Sequence, residues 1–264
     1  MSGAFLRDLE RAEEALDAAM ALALRCAAAG VTVEKKADDS PVTAADREID
    51  GLLRDALVEP GDGWLSEESE DDPSRLERDR VWVVDPIDGT SNFARGLAPF
   101  AVSVALLHAG QPLLAAVHCF PEDATYSALL GAGARRQQRA LPSPVGRFDD
   151  GAIVGCQWFR GQADMGFVAA LQSRGARVRT LGSTVVQLCD CAAGRLDANV
   201  QQQGRVWDFA AAGLIAIEAG LAFTDWRGAP VFPLHDLDVE HTATLAAPPV
   251  VHRQLLPLVA PHAG

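Results

Sequence analysis

Apolar residues recur every three to four positions between Phe5 and Ala29, at Leu6, Leu9, Ala12, Leu16, Met20 and Leu24. That spacing draws one apolar stripe along a helix, and Gly30 supplies its stop. A second helix is predicted from Thr43 through Ile49, Leu52 and Leu53, with Thr43 and Asp46 spaced as a capping pair. Gly61–Ser69 reads as a turn followed by polar chain. The period then changes. Val81–Val84 is a short, fully apolar run, as in a buried strand, and another helix is expected to start close to Ser91. Val102–Leu107 and Leu113–Phe120 read as strands joined by a turn at Gly110, with Tyr126–Leu130 as a third strand before Gly131.

Leu141–Gly151 holds two prolines, two glycines and two aspartates and reads as the connection between two halves, residues 1–145 and 146–264. Beyond it, the predicted strands Ile153–Cys156, Val178–Leu181 and Leu196–Val200 alternate with the predicted helices Phe167–Arg174, Ser183–Ala193 and Phe209–Ala219. The alternation predicts an α/β second half behind an α+β first half. There is no internal repeat and no long low-complexity segment.

Composition narrows the classes of function. Of 264 residues, 48% are hydrophobic and 22% charged, as in an ordinary soluble globular protein. The formal net charge of −13 argues against a nucleic-acid polymer as partner, because such binding rests on basic surface. A local group of carboxylates could still hold cations. The cysteines are Cys26, Cys119, Cys156, Cys189 and Cys191. Their odd number and the lack of any C-x-x-C point to reduced thiols and a cytoplasmic location. The first residues lack a basic-then-apolar leader, and no apolar run reaches the roughly 18 residues needed to span a bilayer, so no membrane partner is expected.

The chemistry concentrates in WVVDPIDGTSNF, Trp82–Phe93. Pro86 biases Asp85 toward extended backbone and should end the hydrogen-bond ladder of the strand. Asp85 then stands at the carboxyl end of a buried strand, where α/β folds place ligands, and Asp88 can turn back to the same point. Two unpaired carboxylates in a dry site repel, and a divalent cation removes that cost. Carboxylates with a backbone carbonyl suit a hard ion such as Mg²⁺. A helix starting near Ser91 would favour an anion at its N-terminus. Taken alone, D-P-I-D-G is also a run of type I turn residues, and Thr43 with Asp46 is also a simple cap. The spacing is wrong for an EF-hand loop, no G-x-x-x-x-G-K-[ST] is present, and D-x-x-D-G-T is one residue longer than the D-x-D-G-T of haloacid dehalogenase phosphatases.

Four segments in order change the balance. Ser40-Pro41-Val42-Thr43-Ala44-Ala45-Asp46, Leu65-Ser66-Glu67-Glu68-Ser69, Asp85-Pro86-Ile87-Asp88-Gly89-Thr90-Ser91-Asn92-Phe93 and Trp207-Asp208-Phe209-Ala210-Ala211 together resemble the inositol monophosphatase family over nearly the whole chain, with Glu218-Ala219-Gly220 at that family's spacing. The resemblance implies a layered αβαβα sandwich and a metal-dependent, lithium-sensitive phosphomonoesterase, usually a homodimer. It assigns Glu67, Asp85 and the carbonyl of Ile87 to a first Mg²⁺, and Asp85, Asp88 and Asp208 to a second, with a third ion near Glu67 through waters. The N–H groups of Gly89 and Thr90 would hold phosphate, and Thr90 paired with Asp46 would activate the attacking water. Glu68 is a candidate for the surroundings of the metal, and Lys35 and Lys36 read as solvated charge.

The alcohol half of the substrate is less legible. The position seven residues before the metal aspartate, acidic in inositol phosphatases, is Gln201, followed by Gln202 and Gln203. Arg205 is a candidate anchor for a second phosphate, with Arg179 and Arg95 as others. Inositol-1-phosphate or a broad sugar-phosphate range ranks first. Histidinol phosphate and 3′(2′),5′-bisphosphate nucleotides are alternatives, and a non-catalytic regulatory protein on the same fold is a third. His108 and His118 read as satisfied strand histidines; His235, His241, His252 and His262 fall outside every motif.

Overall fold

A computed structural model describes residues 3–35, 41–146, 148–158, 164–234 and 242–263. The apolar stripe folds as α1 (Gly3–Ala29), ended by Gly30 at φ 98°. The strands β1 (Val33–Lys35) and β2 (Pro41–Thr43) form a small antiparallel pair ahead of α2 (Ala44–Leu57). Thr43 caps α2, with the reciprocal bond from its own N–H to Asp46. Ser40 and Lys36 lie outside the described residues.

A seven-stranded sheet follows: β3 (Gly63–Ser66), β4 (Arg80–Asp88), β5 (Phe100–His108), β6 (Gln111–Phe120), β7 (Ala124–Leu129), β8 (Ala134–Arg136) and β9 (Arg139–Ala140), with the one-turn helix α3 (Thr90–Phe93) between β4 and β5. Only β3 and β4 run parallel; the later pairs are antiparallel. Two expectations are corrected here. Gly61–Ser69 contains a buried strand, because Trp64 and Leu65 pair with Trp82 and Val83. Pro86 does not end β4: pairing with β5 breaks after Asp85↔Ser103 and resumes at Asp88↔Ala101, so the proline sits in a bulge.

A five-stranded mixed sheet forms next, in the order β11-β10-β12-β14-β13. Its elements along the chain are β10 (Ile153–Gln157), α4 (Gly166–Ser173), β11 (Arg177–Arg179), α5 (Thr184–Ala192), β12 (Ala198–Gln201), α6 (Val206–Glu218), β13 (Ala222–Asp225), β14 (Thr244–Ala247) and α7 (Pro249–Val259). The parallel trio β11-β10-β12 matches the predicted alternation; the antiparallel β14 and β13 extend it. Among the described residues no helix is long and apolar enough to cross a membrane.

Three cores show the layering. Trp82, Val84, Val102 and Val104 face α1 and α2, where Leu16, Ile49 and Leu53 meet them. The alternate residues Val81, Val83, Ala101 and Ala105 face α5 and α6, which also touch the second sheet through Phe223 and Ala246. The outer face of that sheet packs on α4 and α7 through Phe167, Leu171, Val251 and Leu255. The order is therefore α, β, α, β, α. Helices cover both faces of β4 and β5, so their apolar runs are continuous rather than alternating with polar residues.

Candidate active site

The bulge in β4 sets the site. It lifts Pro86 and Ile87 out of the ladder between the paired residues Asp85 and Asp88, and Gly89 then takes φ 97°. A Cβ at Gly89 would lie 3.1 Å from the Pro99 carbonyl oxygen and 3.2 Å from that of Gly182, so this turn admits only glycine. The helix expected near Ser91 is a single turn, too short to carry a macrodipole of consequence; any anion held there would rest on local N–H groups.

Glu67 reaches the same point from the loop after β3. Its backbone N–H bonds the Val84 carbonyl at 3.3 Å. The loop is tied to α2 by the Ser69 hydroxyl, which donates to Asp50 and accepts from Trp64 Nε1. Asp208 arrives from the first turn of α6, where one of its oxygens accepts the Arg205 N–H at 2.7 Å. One carboxylate oxygen each of Glu67, Asp85 and Asp208 lie within 4.8 Å of one another. Both oxygens of Asp85 are buried and have no hydrogen-bond partner. A buried carboxylate without donors is expensive, and two further carboxylates make it more so. Burial raises Asp85 well above the usual carboxylate range, and the charges of Glu67, Asp88, Asp208 and Asp46 add to it. Asp208 rises in the same direction, from burial first and then from Glu67 and Asp88. Asp88 is pushed up to about 6 by burial, against hydrogen bonds from Ser183 and Val185 that pull it down.

This donor set fits a hard divalent cation: all-oxygen, multiply charged, and with no Cys or His in the group. The Ile87 carbonyl, between Asp85 and Asp88 in the chain, accepts the Thr90 hydroxyl at 2.9 Å.

Asp46 stands behind Thr90. Its Oδ2 accepts the Thr43 N–H and hydroxyl, which is the cap; its Oδ1 accepts the Thr90 hydroxyl at 3.2 Å. The capping and catalytic readings of Asp46 are thus compatible, one for each oxygen. Burial raises Asp46 despite the Thr43 bonds.

The substrate-side residues sit differently. Gln201 is fully buried in β12; its Oε1 accepts the Thr244 hydroxyl at 3.3 Å and its Nε2 has no partner. The Arg205 guanidinium lies 5.4 Å from the centre of the Trp207 ring. Arg95 and Arg179 are exposed. Glu218 is structural: its carboxylate accepts the N–H groups of Gly131 and Gly133 after β7. His118 is buried between Asp17 and Asp123, and His252 bonds Thr224, both as satisfied histidines; His108 is exposed, and His235 and His241 lie outside the described residues. The five cysteines are free thiols. The sequence reading missed Ser183, whose hydroxyl donates to Asp88 Oδ2, and Asn92, whose Nδ2 donates to the carbonyls of Pro99 and Leu181. Ser183 before a helical run signals a cap, but nothing local reports a partner 95 positions away.

Comparison with known proteins gives a consistent result. The profile described as the inositol monophosphatase family matches residues 6–263. The inositol-1-monophosphatase SuhB of Mycobacterium tuberculosis strain H37Rv is 36% identical over 208 residues, covering 72% of this chain and 70% of that protein. The solved structure of extragenic suppressor protein suhB from Bartonella henselae superposes with a TM-score of 0.85 at 24% identity, covering 95% of this chain and 97% of that one. A structure described as an IMPase/NADP phosphatase complexed with Mg²⁺ and phosphate superposes with a TM-score of 0.78 at 22% identity, covering 89% of this chain and 88% of that one.

Proposed function

Since the chain belongs to the inositol monophosphatase family and is a phosphatase, we propose that it is a Mg²⁺-dependent phosphomonoesterase acting on a small phosphorylated alcohol, with inositol-1-phosphate or a range of sugar phosphates as substrate. The observation that carries this reading is the convergence of Glu67, Asp85 and Asp208 around a buried Asp85 that has no other partner. Glu67, Asp85 and the Ile87 carbonyl would hold one ion, and Asp85, Asp88 and Asp208 another, with a third near Glu67. Such ions neutralise phosphoryl and leaving-group charge and acidify water. A fold neighbour bound to Mg²⁺ and phosphate supports that choice.

The chain's own proton path starts at Thr90. Its hydroxyl has one proton, which goes either to Asp46 Oδ1 or to the Ile87 carbonyl. When it points at Asp46, a lone pair is free to take the proton of an attacking water while Asp46 takes the hydroxyl's. Burial makes Asp46 a stronger base than an exposed carboxylate, which suits that task near neutral pH. Gly89 and Thr90 N–H groups would orient the phosphate. Thr90→Val, which keeps the shape, is expected to lower kcat roughly 10²-fold with Mg²⁺ affinity retained. Thr90→Ser should recover most of the loss, and an unchanged kcat in the valine variant would remove Thr90 from the path.

The neutral run Gln201–Gln203 offers no charge for the ammonium of histidinol phosphate, although Gln201 itself is buried in β12. A bisphosphate would need a second cation, and Arg205 is the nearest candidate. Phosphate release with Mg²⁺, with and without EDTA, is the test, using inositol-1-phosphate, histidinol phosphate, fructose-1,6-bisphosphate and 3′-phosphoadenosine 5′-phosphate. EDTA-sensitive turnover of inositol-1-phosphate supports the reading; preference for another ester changes the substrate; no turnover of any, despite bound metal, points to an ester outside the panel or to the regulatory alternative. The reading also includes lithium inhibition, a cytoplasmic location and a homodimer, the last checked by sedimentation.

A further inference from the structure

We propose that Ser183 is a positioning residue for Asp88, through which the C-terminal half orients a carboxylate supplied by the N-terminal half. The inference rests on the metal-dependent reading above. Asp88 Oδ2 accepts the Ser183 hydroxyl and, at 2.8 Å, the Val185 N–H. That oxygen is committed to protein donors, so the ligand role of Asp88 falls to Oδ1. Ser183 is itself fixed. It is fully buried, and its Oγ accepts the Val186 N–H at 3.2 Å as the cap of α5. The hydroxyl's single proton therefore goes to Asp88 while a lone pair serves the helix, which leaves the group no rotational freedom.

The loop carrying Ser183 is held from both sides. The Leu181 N–H donates to Gln187 Oε1 at 3.0 Å, and the Leu181 carbonyl accepts Asn92 Nδ2 at 2.8 Å. Asn92 also donates to the Pro99 carbonyl at 2.8 Å, so one amide ties the loop to both ends of the chain between α3 and β5. A Cβ on Gly182 would come within 2.8 Å of that amide, and Gly182 has φ 82°. The contact is therefore close as well as polar. Asp208 brings the C-terminal half into the site by supplying a ligand; Ser183 does so by aiming one. Outer partners of this kind alter metal affinity by about 10–100-fold when removed.

The experiment is calorimetric titration of the full chain with Mg²⁺ alone, on wild type, Ser183→Ala and Ser183→Thr. Wild type should bind. The alanine variant should raise the Mg²⁺ Kd about tenfold or more, and threonine, which keeps the hydroxyl, should restore it. A lower Tm for metal-free Ser183→Ala with an unchanged Kd would make Ser183 a helix cap and nothing else, and would overturn the proposal. Should Ser183→Ala not fold, Asn92→Ser frees the same loop while leaving the cap intact; its Kd must rise likewise, and an unchanged value has the same negative force. Failure of the wild type to bind Mg²⁺ would overturn the metal-dependent reading itself, which is a distinct result.

Discussion

Asp85→Asn lowers turnover by at least about 10³-fold, while the metal-free variant melts higher than the wild type; both outcomes follow from the surroundings of one side chain. Asp85 is 1% exposed and its two oxygens have no donor. In the metal-free protein that carboxylate is a liability: burial and four neighbouring carboxylates all oppose its charge. Asparagine keeps the shape and removes the charge, so the folded state gains, by roughly 1 kcal/mol or more. With Mg²⁺ the order reverses, because the shared ligand charge is gone. A residue with a merely structural role would lower stability in both conditions. Activity within tenfold of wild type, or a Tm that falls equally with and without Mg²⁺, would remove Asp85 from the metal site. Asp208→Asn should follow the same pattern.

The second large effect is a reversal of pH dependence by metal. Asp88 rises from 3.8 to about 6 on folding, and Asp85 and Asp208 rise from the same starting value. A group whose pKa is higher folded than unfolded holds more protons when folded, so stability falls as pH rises through the interval between the two values. The metal-free protein should therefore lose stability between about pH 4 and 6, by on the order of 1–3 kcal/mol from Asp88 alone, with Asp85 and Asp208 adding loss in the same direction. Saturating Mg²⁺ acts oppositely, since it binds only the ionised ligands and displaces their protons. Thermal melts across pH 5–8, in EDTA and in excess Mg²⁺, should give slopes of opposite sign. Parallel curves would mean that this carboxylate group is not where Mg²⁺ binds.

Much of this was legible in the chain. The helical period of Phe5–Ala29 becomes α1 because its apolar stripe packs, together with α2, on one face of the sheet. Asp85 and Asp88 could be found because they are two carboxylates three positions apart at the end of an apolar run; Glu67, Asp208 and Asp46 are assigned only by the family resemblance. Where local signals misled, longer-range contacts had decided. Pro86 reads as a stop, yet the strand tolerates it by bulging between the paired residues Asp85 and Asp88. Trp64 and Leu65 look like a fragment inside a polar turn and become strand only beside Trp82 and Val83. Thr244–Ala247 carries no period of either kind and forms the bridge between β12 and β13 by pairing on both edges. Ser183 illustrates the limit most clearly. Its sequence context announces a cap, while its hydroxyl completes a carboxylate site built nearly a hundred residues earlier.

The middle layer of α5 and α6 has a further consequence, for how the molecule comes apart. Both helices bury one side against each sheet, so the central core is shared by the two halves, while each also has an outer core of its own. Cutting the chain at 141–151 would leave the seven-stranded sheet with Val81, Val83, Ala101 and Ala105 bare to water, an apolar surface that soluble folds seldom tolerate. The shared central core therefore predicts that the two halves do not fold apart. They should melt in one cooperative transition, and the site between them persists or is lost with the whole.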